Sequence, residues 1–301
     1  MPTISIDEYK DYVKDQRKTW FKQPYDLVYD NFISLDYNSK TAEYFFENAS
    51  EIVESLRIKC WDEFVPVERD FTSNMLKELI IEDEIQNMSP AEAITWFIQL
   101  FPEHIYALTL SNTQSRRSRA GKEFEAIIEL LLMGANIPFD SQGNIGKQTF
   151  IKKGLGKLVD VVSPSVIEFD INKRNTILIS AKTTLRERWQ EVPEEMGRTG
   201  AREMFLATLD DNISDEVLDT LYEANIQVVT TKRIREDKYS HNPRVLDFEE
   251  LLQIGKDTAS IWETFSYSDE QVAQYNENLF RQAQKHEMHE YVQQYFAENY
   301  R

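Results

Sequence analysis

The chain has 301 residues, of which 41% are hydrophobic and 12% aromatic, and this apolar content excludes wholesale disorder. No apolar run approaches the roughly 18 residues that a membrane-spanning helix requires. The single cysteine, Cys60, excludes an intrachain disulfide framework and a multi-cysteine zinc site. With 34 basic and 52 acidic residues the net charge is −18, which on average disfavours nucleic acid as a partner.

The net charge is unevenly distributed along the chain. Residues 111–190 carry thirteen Lys and Arg against eight Asp and Glu, a net of +5, so the remainder carries −23. A basic segment on an acidic protein indicates a localised anionic partner. The chain starts with polar and acidic residues, so we expect no signal peptide. Because the cysteine usage is typical of a reduced compartment, we expect a cytoplasmic protein.

Residues 1–110 are predicted to be helical. Ser5 with Glu8, and Ser89 with Glu92, form capping-box patterns, in which the two side chains satisfy each other's backbone N–H groups at a helix start. The apolar residues that follow the second pattern recur with helical spacing. The sequence therefore predicts a helical N-terminal part.

A polar, basic loop is predicted at residues 111–117, followed by a helix over 118–133. The pattern then changes to short β-branched segments separated by Gly, Pro and Asn, which is typical of strands. The predicted strands are 147–153, 157–162, 176–184, 204–209 and 226–231. A helix capped by Ser214 separates the last two, and the chain is helical again from Val245. These elements predict an α/β fold with a mixed sheet and helices on its faces.

Two neighbouring predicted strands carry charged side chains. Asp160 lies among apolar residues, and Lys182 ends an almost wholly apolar strand, where an uncompensated ammonium is costly to desolvate. Adjacent strands would bring the two to the same sheet edge, with Glu195 and Glu125 on flanking helices. One interpretation is a structural Asp–Lys pair. The other is a metal-dependent phosphodiesterase, in which carboxylates hold Mg²⁺ and a lysine orients the nucleophile.

The Asp160 strand and the Ser-Ala-Lys triplet that ends at Lys182 resemble the motif of the PD-(D/E)xK nucleases. Val159 stands where that motif has proline, and Ser180 stands where it has a second acid. One subgroup of type II restriction endonucleases, which contains SsoII, PspGI and EcoRII, takes this acid from the following helix. Glu195 is placed on that helix, so the chain is similar to this subgroup.

This resemblance covers residues 110–200 closely, and spacing and length extend it over the whole chain. It implies that Asp160, Glu195 and Glu125 are Mg²⁺ ligands and that Lys182 is the catalytic lysine. It also implies a restriction-endonuclease-like fold, a mixed central sheet flanked by helices with helical N-terminal and C-terminal additions. We expect one compact domain with three parts, a helical part, a nuclease core and a helical C-terminal part, at residues 1–110, 111–240 and 241–301.

The segment after the lysine carries the groups that read G·C pairs. Arginine pairs with guanine O6 and N7, and glutamate accepts from cytosine N4. The resemblance therefore implies that Arg186, Glu187 and Arg188 read DNA bases, although alternating charge is also typical of a solvated helix face. Gln114, in the predicted polar loop, is a candidate for a minor-groove contact, and the alternative is an ordinary surface loop.

Arg57 and Trp61 are four residues apart on a predicted helix and so share a face. One interpretation is a half-buried tryptophan with an arginine over its ring. The SsoII-like enzymes cut a five-base site with an unspecified central pair, and some of them extrude the central nucleotide. The resemblance therefore implies a pocket in which these two side chains stack a flipped base.

The resemblance as a whole implies a type II restriction endonuclease that binds double-stranded DNA at CCNGG and cuts both strands with Mg²⁺ before the first C, leaving 5′ overhangs. A site cut on both strands requires two active sites, so we expect a homodimer on DNA. A cognate DNA methyltransferase is expected in the same system, without a stable contact. Two alternatives are a structure-specific PD-(D/E)xK repair or junction nuclease and a non-catalytic DNA-binding or DNA-mimicking protein.

Overall fold

The computed structural model describes residues 4–301, except for the side chains of Glu187 and Arg188. Over this part of the chain, every helix is too short or too polar to cross a membrane. The α-helices are α1 (Ile6–Trp20), α2 (Pro24–Ser34), α3 (Ala42–Lys77), α4 (Glu82–Ile85), α5 (Pro90–Leu100), α6 (Pro102–Gly134), α7 (Gln142–Ile145), α8 (Lys147–Lys152), α9 (Val166–Ile171), α10 (Val192–Thr199), α11 (Asp215–Glu223), α12 (Lys232–Lys238), α13 (Phe248–Ser260), α14 (Asp269–Gln284) and α15 (Glu290–Glu298). The strands are β1 (Asp140–Ser141), β2 (Val161–Ser163), β3 (Ile177–Lys182), β4 (Met204–Thr208), β5 (Ile226–Thr230) and β6 (Leu246–Asp247).

The six strands form one mixed sheet in sequence order. β1, β2 and β3 pair antiparallel, and β3, β4, β5 and β6 pair parallel. The mixed α/β architecture is therefore confirmed. The strands β3, β4 and β5 lie within predicted strands, whereas β2 overlaps the strand predicted at residues 157–162 by only two residues. The edge strands β1 and β6 were not predicted, because each has only two residues, too few to show an alternating pattern of apolar and polar residues.

The strand predicted at residues 147–153 is wrong, because this segment forms the helix α8. Gly146, with a φ of 97°, precedes the helix and turns the chain into it. Phe150 is fully buried, whereas Ile151 next to it is partly exposed. The preference of β-branched residues for strands depends on packing against neighbouring strands. In this segment, burial of the Phe150 ring on a helical turn outweighs that preference.

The loop predicted at residues 111–117 is also wrong, because α6 runs through it without a break. The sequence between Pro102 and Gly121 contains no further proline or glycine. Polar side chains in this stretch bond to the helix itself, as where Thr113 Oγ1 donates to the carbonyl of Thr109 at 3.0 Å. Polarity therefore marks an exposed helix face here rather than a loop.

Two compact units can be distinguished in the described chain. The first comprises the residues up to Leu27 and Ile58–Lys122, and the second comprises Val28–Arg57 and Glu123–Arg301. The divisions predicted near residues 110 and 240 stay predictions. The core of the first unit is formed by Tyr9, Val13, Phe21, Phe64, Phe71, Met75, Leu79, Phe101 and Leu108.

The core of the second unit is built on the sheet. All five residues of β4 are buried, as are the first five of β3. Phe124, Ile127, Ile128 and Leu131 of α6 are also buried, so this helix packs an apolar face into the core. The interior of the sheet is almost wholly apolar, and the candidate site lies where β2 begins and β3 ends.

Candidate active site

Asp160 and Lys182 meet where β2 begins and β3 ends. Because β2 runs antiparallel to β3, with Val161 opposite Ile179, the residue before β2 lies beside the last residues of β3. Lys182 Nζ donates to Asp160 Oδ2 at 2.9 Å, and the two side chains are only 16% and 14% exposed. The predicted proximity of these two residues is therefore observed.

The backbone around Asp160 holds its carboxylate in one position. Oδ2 also accepts from the N–H of Ala181 at 2.7 Å, and the Asp160 N–H donates to the carbonyl of Ile179 at 2.9 Å. Burial raises the pKa of the Asp160 carboxyl, and the Lys182 ammonium and the Ala181 N–H oppose that rise. Both described hydrogen bonds of this carboxylate end at Oδ2.

Glu195 lies in the first turns of α10 and is 8% exposed. Its Oε1 accepts a hydrogen bond from the backbone N–H of Lys157, and its Oε2 lies 3.8 Å from Arg198 Nη1. Gly156, with a φ of 76°, allows the chain to pass directly against this carboxylate. Glu195 is thus fixed to the segment that leads into Asp160.

Glu125 is half-buried on α6, and one turn further along lies a second acid, Glu129, which is 6% exposed. Asn144 Nδ2 donates to Glu129 Oε2 at 3.0 Å. Burial raises the pKa of Glu129 to about 7, and the charge of Asp160 adds to that rise. The sequence analysis did not identify Glu129 as a candidate residue. Its signal was that of a single acid between apolar neighbours on a helix, which indicates a buried carboxyl group.

The donor chemistry at this edge fits a hard divalent cation, since carboxylate oxygens are the ligands that Mg²⁺ prefers. Among the described side chains, however, no group of three Asp, Glu, His or Cys lies close enough to hold one ion. The set of Asp160, Glu195 and Glu125 therefore stays a prediction. Ser180, at the place of the motif's second acid, is fully buried, and its Oγ has no hydrogen-bond partner within the described chain.

The segment predicted to read bases is a short 3₁₀ helix, Arg186–Glu191, between β3 and α10. Arg186 is exposed, adopts a φ of 43° and lines a cavity of about 500 Å³ together with Trp189 and Asp210. The side chains of Glu187 and Arg188, the other two predicted reading residues, lie outside the described residues.

The remaining predicted site residues are exposed. Gln114 is exposed on α6 rather than on a loop. Arg57 and Trp61 lie four residues apart on α3, and both are exposed, with the indole ring of Trp61 6.0 Å from that of Phe64. An indole that is 51% exposed has a free surface on which another ring can stack.

Comparison with known proteins concerns the chain as a whole. Residues 74–252 match the family model described as EcoRII C terminal. The chain is 51% identical to the type II restriction enzyme SsoII of Shigella sonnei over 98% of this chain and 97% of that protein. Metal-depleted Ecl18kI in complex with uncleaved, modified DNA has a TM-score of 0.94 at 50% identity, covering 98% of both chains. The PspGI–substrate DNA complex has a TM-score of 0.57 at 17% identity, covering 80% of this chain and 94% of that one, which supports the fold alone.

Proposed function

The chain belongs to the EcoRII C-terminal family and is a type II restriction endonuclease, and on this premise we propose that it cuts duplex DNA at CCNGG with Mg²⁺. In this proposal one phosphodiester bond is hydrolysed in each strand before the first C, leaving 5′ overhangs. The observation that carries the proposal is the Lys182–Asp160 pair at the junction of β2 and β3. Family membership favours this reading over a structure-specific nuclease or a non-catalytic DNA-binding protein.

Asp160, Glu195 and Glu125 are the proposed metal ligands. Type II restriction endonucleases generally use a divalent metal ion, and Ecl18kI was captured with uncleaved DNA in metal-depleted form. The ion that these carboxylates would hold would supply polarisation of the scissile phosphate and a lower pKa for a bound water. Asp160 offers Oδ1 for this purpose, because its described hydrogen bonds occupy Oδ2.

Lys182 is the proposed catalytic lysine. Its ammonium is largely buried and is oriented by Asp160 Oδ2 and by the carbonyl of Ala181, each at 2.9 Å. A cation fixed in this way stabilises negative charge as it develops on the phosphate, without reorganisation during the reaction. The same ammonium also holds the attacking water in line with the phosphate.

Arg186, Glu187 and Arg188 are proposed to read the two adjacent G·C pairs of each half-site in the major groove. Arg186 supports this role because it is exposed and lies four residues after Lys182, the last residue of β3. Gln114, exposed on α6, is proposed to contact the minor groove. Phosphate contacts would set the position of the protein, while these side chains would set its sequence preference.

Arg57 and Trp61 are proposed to stack the extruded central base without reading its identity, as an unspecified position requires.

A homodimer on DNA is proposed because each strand needs its own active site. A DNA methyltransferase of the same system is proposed to protect the host sites without a stable contact with this chain.

A plasmid digest tests the proposed cleavage. The protein is incubated with Mg²⁺ and a sequenced plasmid, and in parallel with a plasmid from which every CCNGG site has been removed. The proposal expects discrete fragments from the first plasmid only, with ends that map before the first C, and no cutting when the metal is chelated. Nicks that follow DNA structure would indicate a structure-specific nuclease, and absence of cutting would indicate a non-catalytic protein.

A further inference from the structure

A basic groove of about 430 Å³ lies in the first unit between α1 and the first half of α6. Six of its lining side chains are cationic and none is acidic, although the chain as a whole carries −18. The cationic residues are Lys14, Arg17, Lys18, Lys22, Arg119 and Lys122. Because like charges gathered on one surface repel each other, such a groove is stabilised by a bound anion.

The α6 side of the groove supplies hydrogen-bonding groups at helical spacing. Gln114, Ser118 and Lys122 recur every four residues, so they occupy one face of α6. Lys14 and Lys18 are likewise one turn apart on α1. The groove thus combines ammonium groups with neutral amide and hydroxyl donors, the set of side chains that contacts nucleic-acid phosphates.

Two arginines fix the walls of the groove. Arg17 Nη2 donates to Asn112 Oδ1 at 2.6 Å, and Arg119 Nη1 donates to the carbonyl of Lys22 at 2.8 Å. Both guanidinium groups lie over the ring of Phe21, at 5.4 and 5.7 Å from its centroid. The two positive charges are therefore held at a shared ring before any ligand arrives, which lowers the ordering cost of binding.

Nearby carboxylates offset part of the positive charge of the groove, but none of them lines it. Lys18 pairs with Asp15 at 2.8 Å, but both side chains are about two-thirds exposed, and exposed pairs of this kind are weak. Glu68, the buried acid of this unit, accepts from Arg116 Nε at 2.7 Å. Neither acid lines the groove.

We propose that this groove binds the phosphate backbone of duplex DNA and adds affinity that does not depend on base sequence. The inference rests on the proposed function, because the duplex is the polyanion that a restriction endonuclease must hold. It assigns Lys14, Lys18, Lys22 and Lys122 to phosphate contacts. Gln114, which lines the same groove, would then approach the duplex between these contacts.

The inference is tested with the double variant Lys14→Ala/Lys18→Ala. A matched control, Lys10→Ala/Lys77→Ala, removes the same charge from exposed positions of the same unit outside the groove. Binding of two labelled duplexes of equal length, with and without CCNGG, is measured by fluorescence anisotropy over a range of salt concentrations in EDTA, so that no cleavage occurs. Thermal unfolding of each variant verifies the fold.

Removal of one lysine–phosphate interaction should reduce the slope of log K against log salt by about 0.9, so the groove variant should show a slope smaller by about 1 to 2. Affinity for both duplexes should fall by the same factor, Lys14→Arg/Lys18→Arg should restore the slope, and the control should match the wild type. An unchanged slope, or a weakening confined to the CCNGG duplex, would overturn the inference. Wild-type protein that does not prefer the CCNGG duplex would instead contradict the proposed function.

Discussion

Gly156→Ala probes the attachment of Glu195 to the chain that leads into Asp160. A Cβ at this position would overlap the Glu195 carboxylate, lying within 2.6 Å of its Cδ. The φ of 76° is also strained for any residue with a side chain. The substitution should therefore push Glu195 off the Lys157 N–H and move it away from the Asp160 edge.

Gly154→Ala provides a matched control two residues away. Its φ of 78° is nearly identical, but the nearest group to its Cβ, Lys173 Nζ, is at an ordinary 3.8 Å. The left-handed backbone costs about 1–2 kcal/mol for a residue with a Cβ, so both variants should lose this much stability. Only Gly156→Ala also loses a hydrogen bond to a charged group, which contributes about 1.5–3 kcal/mol.

Urea unfolding should therefore give the highest free energy of unfolding for the wild type, a lower one for Gly154→Ala and the lowest for Gly156→Ala. If Glu195 is a metal ligand, Gly156→Ala should also need a higher Mg²⁺ concentration for half-maximal cleavage, whereas Gly154→Ala should keep the wild-type Mg²⁺ dependence. Equal stabilities would refute the close approach of Gly156 to Glu195. Equal Mg²⁺ dependence, with unequal stabilities, would remove Glu195 from the metal site.

Three further variants address the proposed roles of single side chains. Lys182→Ala should abolish plasmid cleavage and leave CCNGG binding in EDTA largely intact, because the proposed role of this lysine is to act on the reacting phosphate. Arg186→Ala should weaken binding to the site by about 1–3 kcal/mol and relax specificity at one G·C pair, as measured by competition between duplexes. Trp61→Ala should remove the fluorescence rise of a central 2-aminopurine on binding, because the extruded base loses its stacking surface.

The same three variants can each contradict the role assigned. Cleavage retained in Lys182→Ala would remove this residue from the active site. A uniform loss of affinity for all duplexes in Arg186→Ala would indicate a phosphate contact rather than base reading. An unchanged 2-aminopurine signal in Trp61→Ala would locate the flipped base elsewhere.

The proximity of Asp160 and Lys182 was predictable because its signal is local. A lysine at the end of an apolar strand needs a partner because an unpaired ammonium is costly to desolvate, and Asp160 was the nearest carboxylate on a neighbouring predicted strand. The pairing of β2 with β3 brings the two side chains to the observed distance of 2.9 Å. The strand predicted at 147–153 failed for the opposite reason, since β-branched composition says nothing about whether a partner strand is present.

Residue type and spacing thus determined the α/β class, the strands β3 to β5 and the Asp160–Lys182 pair, because each depends on short-range periodicity and on the cost of burying a charge. The tertiary structure alone decided that Glu129 lies near Asp160 and that the cations of α1 face those of α6. Arg17 and Asn112 are 95 positions apart in the sequence, and no local pattern records such a contact. Only the packing of the two helices gathers these charges, so the acidic chain acquires its basic groove by folding.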